Sequence, residues 1–333
     1  MFNHLCDGAN TSTSTVQSYA TAGVSLLLCV VTVPGNLLVC VAVLKSSNKN
    51  IRNPFNYFVL SLAIADLVVG CVTEPLAVYV HVKEATGRPS NIVEVKCLHL
   101  SYFISCTTSV LSICLLGIER YMAITSPLKF RLFFSFKRFL TLATIVWIVS
   151  IGLSSIYIFT TYSIYAFVFI TNAVGWTLGV SVFTYVKILR KFKERMRNTT
   201  LSSARSSTSQ NPLPPNPWNV QLTKTYMIII SIFLACYIPA CVVIYTMNWC
   251  KTCSCLTLYY FQDLQFIIVA LNSALNPFVY AFRFKRFRHA VLQILQCGKS
   301  ARQRSAMFQS TTTLSKSTRS LQFSRESVSN KRS

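Results

Sequence analysis

Glu119 and Arg120 stand side by side in "LGIERYMAITSPLKF", where an apolar run from Cys97 to Ile118 gives way to Tyr121, a proline and a basic patch. An acid and a base adjacent at the edge of an apolar segment suit a dry ion pair that a protein with two packings can make or release. A second set of polar residues lies inside apolar runs: Asp66 in "LSLAIADLVVG", Asn36 in "VPGNLLVCV", Ser109 in "TTSVLSICLL", and Asn272, Ser273 and Asn276 in "ALNSALNPFVY". Ionisable groups in such runs are costly to bury and mark function. Their oxygens suit one buried network around water or a hard cation such as sodium. Covalent catalysis has no such footing. There is no intramembrane Ser–His or Asp pair, and His4, His81, His99 and His289 are scattered, so the chain is not read as an enzyme.

The elements that must hold these residues are dictated by composition. The 333 residues are 52% hydrophobic and 12% charged, against about 25% charged in soluble domains. Seven apolar runs, about 20–44, 55–80, 97–118, 139–160, 164–187, 225–247 and 258–282, are long enough to span a bilayer. Hydrocarbon offers no partner to backbone polar groups, so each span must be helical. The expected fold is all-α, a bundle of seven transmembrane helices. The fourth and fifth runs are separated only near Tyr162, and a six-span reading with one long hairpin is the alternative.

Net charge is +23, and of the 32 Lys and Arg residues all but Lys83, Arg88, Lys96 and Lys251 fall on one face of that topology. The positive-inside rule then puts the N-terminal segment 1–19 outside and the C-terminus in the cytoplasm, as for a multi-pass plasma-membrane protein. The basic excess serves topology and anionic lipid, not nucleic acid. No basic n-region precedes a short apolar stretch, so the first helix is expected to act as signal and anchor together. Asn10 opens a glycosylation sequon on the outer face; Asn198 opens another, expected to be inert inside. Residues 188–224 begin as a basic continuation of the fifth helix and turn into a Ser-, Asn- and Pro-rich linker read as disordered. Residues 20–297 form the membrane domain, ending in a basic amphipathic stretch, 284–297, suited to the inner membrane surface. Cys297 is a palmitoylation candidate. The tail, 298–333, is rich in Ser and Thr and suits kinases and a partner that reads phosphate.

"GNLLV", "LAIAD", "IERYMAITSPL" and "NPFVY", in this order and one per expected helix, resemble the rhodopsin-like class of G-protein-coupled receptors. Trp147 alone in the fourth span and "CYIP" at Cys236–Pro239 agree. The resemblance implies that Glu119, Arg120 and Tyr121 are the acid–Arg–Tyr triplet that pairs at rest and releases as helix six swings out. It implies that Tyr185 and Tyr280 rearrange toward the arginine, and that Asn276 and Pro277 belong to the seventh-helix switch. Pro127 and Leu128 resemble the loop pair whose apolar side chain enters the G protein. Receptor kinases and arrestin are implied as partners of the tail, and sodium as a ligand of Asn36, Asp66, Ser109, Asn272 and Ser273.

The chain also departs from that pattern. Tyr237 stands where tryptophan is usual, the fifth helix has no proline, and the fourth-to-fifth connection has no cysteine. Five cysteines face outside, Cys6, Cys97, Cys250, Cys253 and Cys255, and an odd number leaves at least one unpaired in a monomer. A bridge within "CKTCSC", Cys250–Cys253 or Cys250–Cys255, leads, with Cys6 or Cys97 as other options. These features are similar to melanocortin receptors, in the wider group with adenosine and cannabinoid receptors. The acidic cluster of melanocortin receptors is not reproduced: Glu74 and Glu94 are the nearby acids, and His99 stands where an acid is expected.

His99, Tyr102, Cys106, Tyr237, Cys241, Tyr245 and Phe266 are expected to line an apolar, aromatic outer pocket. Tyr102 occupies the position where amine receptors carry aspartate, so a typical biogenic amine is not expected. Ala270 replaces the retinal-binding lysine, so a Schiff base is excluded. A small molecule, lipid or peptide remains open. The leading reading is a receptor that couples an outer ligand to a heterotrimeric G protein. The rivals are an arrestin-engaging decoy of the same fold and a small-solute transporter, for which internal repeats are missing.

Overall fold

The computed structural model describes residues 14–45, 54–88, 90–126, 130, 135–204, 217–250 and 252–283. Asn10, Pro127, Leu128, the stretch 284–297 with Cys297, and the tail 298–333 lie outside the described residues. Seven helices are long and apolar enough to cross a membrane. They are α1 Thr15–Lys45, α2 Pro54–Ala85, α3 Ile92–Thr125, α4 Phe136–Phe159, α5 from Tyr162 to Ala204, α6 Pro217–Trp249 and α7 Cys255–Arg283. α2 is interrupted by a π-helical turn at Val69–Thr73, and α5 by another at Ile170–Val174.

The helices outrun the apolar stretches because their ends are fixed by polar caps. α3 begins before Cys97 because Asn91 Oδ1 accepts from the Val93 N–H at 3.2 Å while Glu94 Oε2 accepts from the Asn91 N–H at 3.0 Å. The fourth and fifth spans are separate helices: the backbone is extended at Thr160 and Thr161, which stops α4 and starts α5. Helix also reaches into the segment read as a linker, through Ala204 on one side and from Pro217 on the other.

α3 is the most enclosed helix, with 67% of its apolar window buried against 22% for α4. Its buried face is built from Ser105, Thr107, Thr108, Ser109 and Ser112, whose small side chains let neighbouring helices approach. The hydroxyls of Thr107 and Thr108 donate to the Phe103 and Ile104 carbonyls, at 2.7 and 2.8 Å, so these two donors need no water. Large apolar side chains such as Leu27, Val30 and Ile148 face outward, where lipid covers them.

Pro239 and Pro277 lie inside α6 and α7, and Pro34 inside α1. Pro277 has no N–H to give the Ser273 carbonyl four residues earlier. Asn36 of α1 supplies the missing donor: its Nδ2 lies 3.1 Å from that carbonyl and 3.0 Å from the Thr32 carbonyl of its own helix. Gly35 makes the approach feasible, since a Cβ there would fall 2.8 Å from Pro277 Cγ. A similar repair holds the π turn of α2, where Cys29 Sγ donates to the Gly70 carbonyl at 3.1 Å. Asn36→Leu should therefore lower stability by about 1–3 kcal/mol, the cost of an unpaired buried carbonyl. Thermal unfolding in detergent measures it. In a Pro277→Ala background, with the helical N–H restored, the same change should cost clearly less.

Candidate functional site

The predicted site residues gather at three depths of the bundle. At the Arg120 end, Arg120 Nε and Nη2 donate to the two carboxylate oxygens of Glu119, a bidentate pair. Glu119 is 0% and Arg120 2% exposed, and the guanidinium lies 4.8 Å from the Phe55 ring centroid of α2. A pair this dry holds as a unit, because removing one partner strands the other without water. One helical turn earlier, Gly117 faces α6. A Cβ there would collide with the Tyr226 hydroxyl oxygen, so Tyr226 sits in the notch that the glycine leaves. Thr184 of α5 donates to the Val180 carbonyl at 2.9 Å, which leaves its oxygen to accept from Tyr226 at 3.2 Å. α3, α5 and α6 thus meet through one tyrosine. Tyr121 and Tyr185 are half-buried beside this contact, while Tyr280 of α7 is buried with its hydroxyl unpaired.

At mid-depth, Asn276 Nδ2 donates to Asp66 Oδ2 at 2.8 Å, joining α7 to α2. Asp66 Oδ1, Asn36 Oδ1 and Asn272 Oδ1 are buried acceptors without a partner, and Ser109 and Ser273 are buried as well. Oxygens with lone pairs and no donor fit a hard monovalent cation. Among the described residues no group of His, Cys, Asp and Glu suits a ligated metal.

At the opposite end, a cavity of about 110 Å³ opens between α1, α2, α3, α7 and the start of α5. His99, Tyr102 and Phe266 line it. Cys106 and Tyr237 touch one another, are buried, and are not among the lining residues. Cys241 is half-buried and does not line it, and Tyr245 belongs to the α5–α6 contact, 3.0 Å from the Thr171 hydroxyl and against Phe167 and Trp249. Below the cavity, Gln265 accepts from Tyr102 at 3.1 Å and donates to Tyr162, tying α3, α5 and α7 together. His99 pairs with the Tyr157 hydroxyl at 2.7 Å.

The polar wall was not foreseen. Gln17, His81, Glu84, Gln262 and Asp263 line the cavity, so its acids are Glu84 and Asp263 and not Glu74 and Glu94. Glu94 is instead held by Lys83 at 2.7 Å and Tyr79 at 3.1 Å, and Glu74 is fully buried with neither oxygen paired. The signal lay in Asp263, an acid inside an apolar run, three residues before Phe266 and so on its helical face. The bridge within "CKTCSC" is Cys250–Cys253, with Cα atoms 5.7 Å apart; Cys255 is disulfide-bonded too, and Cys97 is a free thiol.

Residues 35–165 and 159–280 match the family described as "7 transmembrane receptor (rhodopsin family)". The chain is 28% identical to adenosine receptor A2a of Canis lupus familiaris, over 85% of this chain and 74% of that protein. It is 26% identical to octopamine receptor beta-2R of Chilo suppressalis, over 86% and 82%. A shorter match, 37% identical, covers 38% of this chain and 28% of D(2) dopamine receptor A of Xenopus laevis.

Gly117→Ala should displace Tyr226 and cost about 1–3 kcal/mol, the usual penalty of overpacking. Thermal unfolding should show a smaller loss for Gly117→Ala in a Tyr226→Phe background, where the opposing oxygen is gone.

Proposed function

Because the chain belongs to the rhodopsin family of seven-transmembrane receptors, and is thus a cell-surface G-protein-coupled receptor and not an enzyme, we propose specific roles for the three sites. The cavity beside Asp263 takes an extracellular ligand, and the Glu119–Arg120 pair holds the receptor silent. The Asp263 end faces outward and the Arg120 end the cytoplasm, in keeping with the placement of the basic residues. The relatives are named for adenosine, octopamine and dopamine, so a small molecule stands beside lipid and peptide as the ligand class.

The observation that carries this reading is the dry Glu119–Arg120 pair next to a tyrosine of α6 wedged against α3. In the active packing Tyr226 leaves the Gly117 notch as α6 moves outward. Arg120 then parts from Glu119 and faces the G protein, with Tyr121, Pro127 and Leu128 flanking the opening. Tyr185 and the unpaired Tyr280 hydroxyl turn toward the released arginine, Tyr280 carried by the Asn276–Pro277 segment of α7. A G protein that binds this packing and a ligand that favours it reinforce each other by linkage. Sodium held by Asp66 and the unpaired oxygens of Asn36 and Asn272 favours the resting packing. Receptor kinases and arrestin act on the 298–333 tail.

Nucleotide exchange on a panel of G proteins in membranes, without ligand, tests the switch. Glu119→Gln should raise exchange about tenfold, the effect of ~1.4 kcal/mol on a two-state equilibrium. Adding Arg120→Ala should abolish it. Replacing choline by sodium should lower exchange in the wild type and not in Asp66→Asn. Silence of a correctly inserted Glu119→Gln on every G protein would favour the decoy. Orientation is checked separately: peptide N-glycosidase should increase the gel mobility of the wild type, leave Asn10→Gln unchanged, and act normally on Asn198→Gln. A glycan that survives Asn10→Gln would contradict the assignment.

A further inference from the structure

The hydrogen bonds around the cavity leave a buried acceptor over. Asp263 Oδ2 accepts from Gln17 Nε2 at 2.8 Å and from Thr21 Oγ1 at 3.0 Å. Asp263 Oδ1 is 3.9 Å from His81 Nε2, beyond a hydrogen bond, while His81 Nδ1 is engaged by Glu84 Oε2 at 3.0 Å. Gln17 is 6% exposed and lines the cavity, yet its carboxamide oxygen has no partner. A buried acceptor in that state costs free energy until a donor reaches it.

Charge points the same way. A protonated His81 would bring one positive charge to a wall that holds two carboxylates. The nearby lysines are committed elsewhere: Lys83 to Glu94 at 2.7 Å, and Lys96 to the Ile158 carbonyl at 3.1 Å. The cavity is also lined by the aromatic rings of Tyr102, Tyr162 and Phe266, with Tyr102 and Phe266 in ring contact at 5.4 Å. Cations are favoured beside such faces. The volume, about 110 Å³, is smaller than the ~150 Å³ that encloses a benzene, so the enclosed part of a ligand is compact.

We propose that this cavity binds a small organic cation, an ammonium or amidinium with at least two N–H donors on a flat apolar body. Its head lies between Asp263, Glu84 and the Gln17 carboxamide oxygen, and its body lies against Tyr102, Tyr162 and Phe266. The anchor is therefore shared by α1, α2 and α7, while α3 adds Tyr102 and a His99 engaged with the Tyr157 hydroxyl. This deepens the receptor reading of the same cavity and rests on it.

Direct binding to the full chain in lipid nanodiscs tests the assignment without any signalling step. Benzamidine and benzamide have the same shape and differ in charge. Benzamidine should raise the melting temperature of the wild type saturably, and benzamide at equal concentration should not. Asp263→Asn and Glu84→Gln should each weaken benzamidine at least about tenfold, the loss of one charge-assisted hydrogen bond. Equal binding of benzamide, absence of benzamidine binding, or undiminished binding by both variants would overturn the proposal. The wild-type comparison stands even if a variant does not fold. Failure here with Glu119→Gln still active on a G protein would remove the cation and leave the receptor reading intact.

Discussion

Hydrocarbon gives a polar atom nothing to bond, so each buried donor and acceptor of this bundle must find its partner inside the protein. The link between Asn36 and the Ser273 carbonyl shows how far that constraint reaches. Pro277 breaks the ladder of α7, a side chain of α1 closes the gap, and Gly35 clears the space for the two helices to meet. Ser105, Thr107 and Thr108 of α3 obey the same constraint by bonding back to their own helix. A helix with a polar buried face can then occupy the centre.

The exceptions are informative for the same reason. Unpaired buried atoms occur at each depth: the Gln17 carboxamide oxygen beside the cavity, one oxygen each of Asp66, Asn36 and Asn272 at mid-depth, and the Tyr280 hydroxyl. These five belong to α1, α2 or α7. In a soluble protein water would pair them. Within a membrane span, a ligand, an ion or a second packing of the helices can supply the partner. The proposed ligand, sodium and receptor switch each supply partners to one of these levels, which gives outer binding and inner release a common physical basis.

The spans and the adjacent pair were legible because they are local. An apolar run long enough to cross a bilayer can be read directly, and Glu119 and Arg120 are neighbours in the chain. The seven helices and the family of the chain followed from such features. Helix ends were less legible, since the start of α3 depends on reciprocal capping by Asn91 and Glu94 and not on hydrophobicity. The polar wall of the cavity was hardest to see. Gln17, Glu84 and Asp263 come from three helices, and only packing brings them together. The Gly117–Tyr226 fit had no signature either, because a glycine in a span does not reveal which side chain will fill its notch.

The proposed resting state depends on α6 being held against α3 while Glu119 keeps Arg120. The most direct measurement is the distance between spin labels at Ser126 of α3 and Lys224 of α6, introduced without cysteine chemistry because the chain carries free thiols. It would be recorded in nanodiscs for the wild type and Glu119→Gln. The distribution should be short and narrow in the wild type. In Glu119→Gln it should gain a second population several Å longer, roughly the scale of a helix displacement in a switching bundle. A Glu119→Gln protein that activates a G protein with the wild-type distance unchanged would contradict α6 as the moving element.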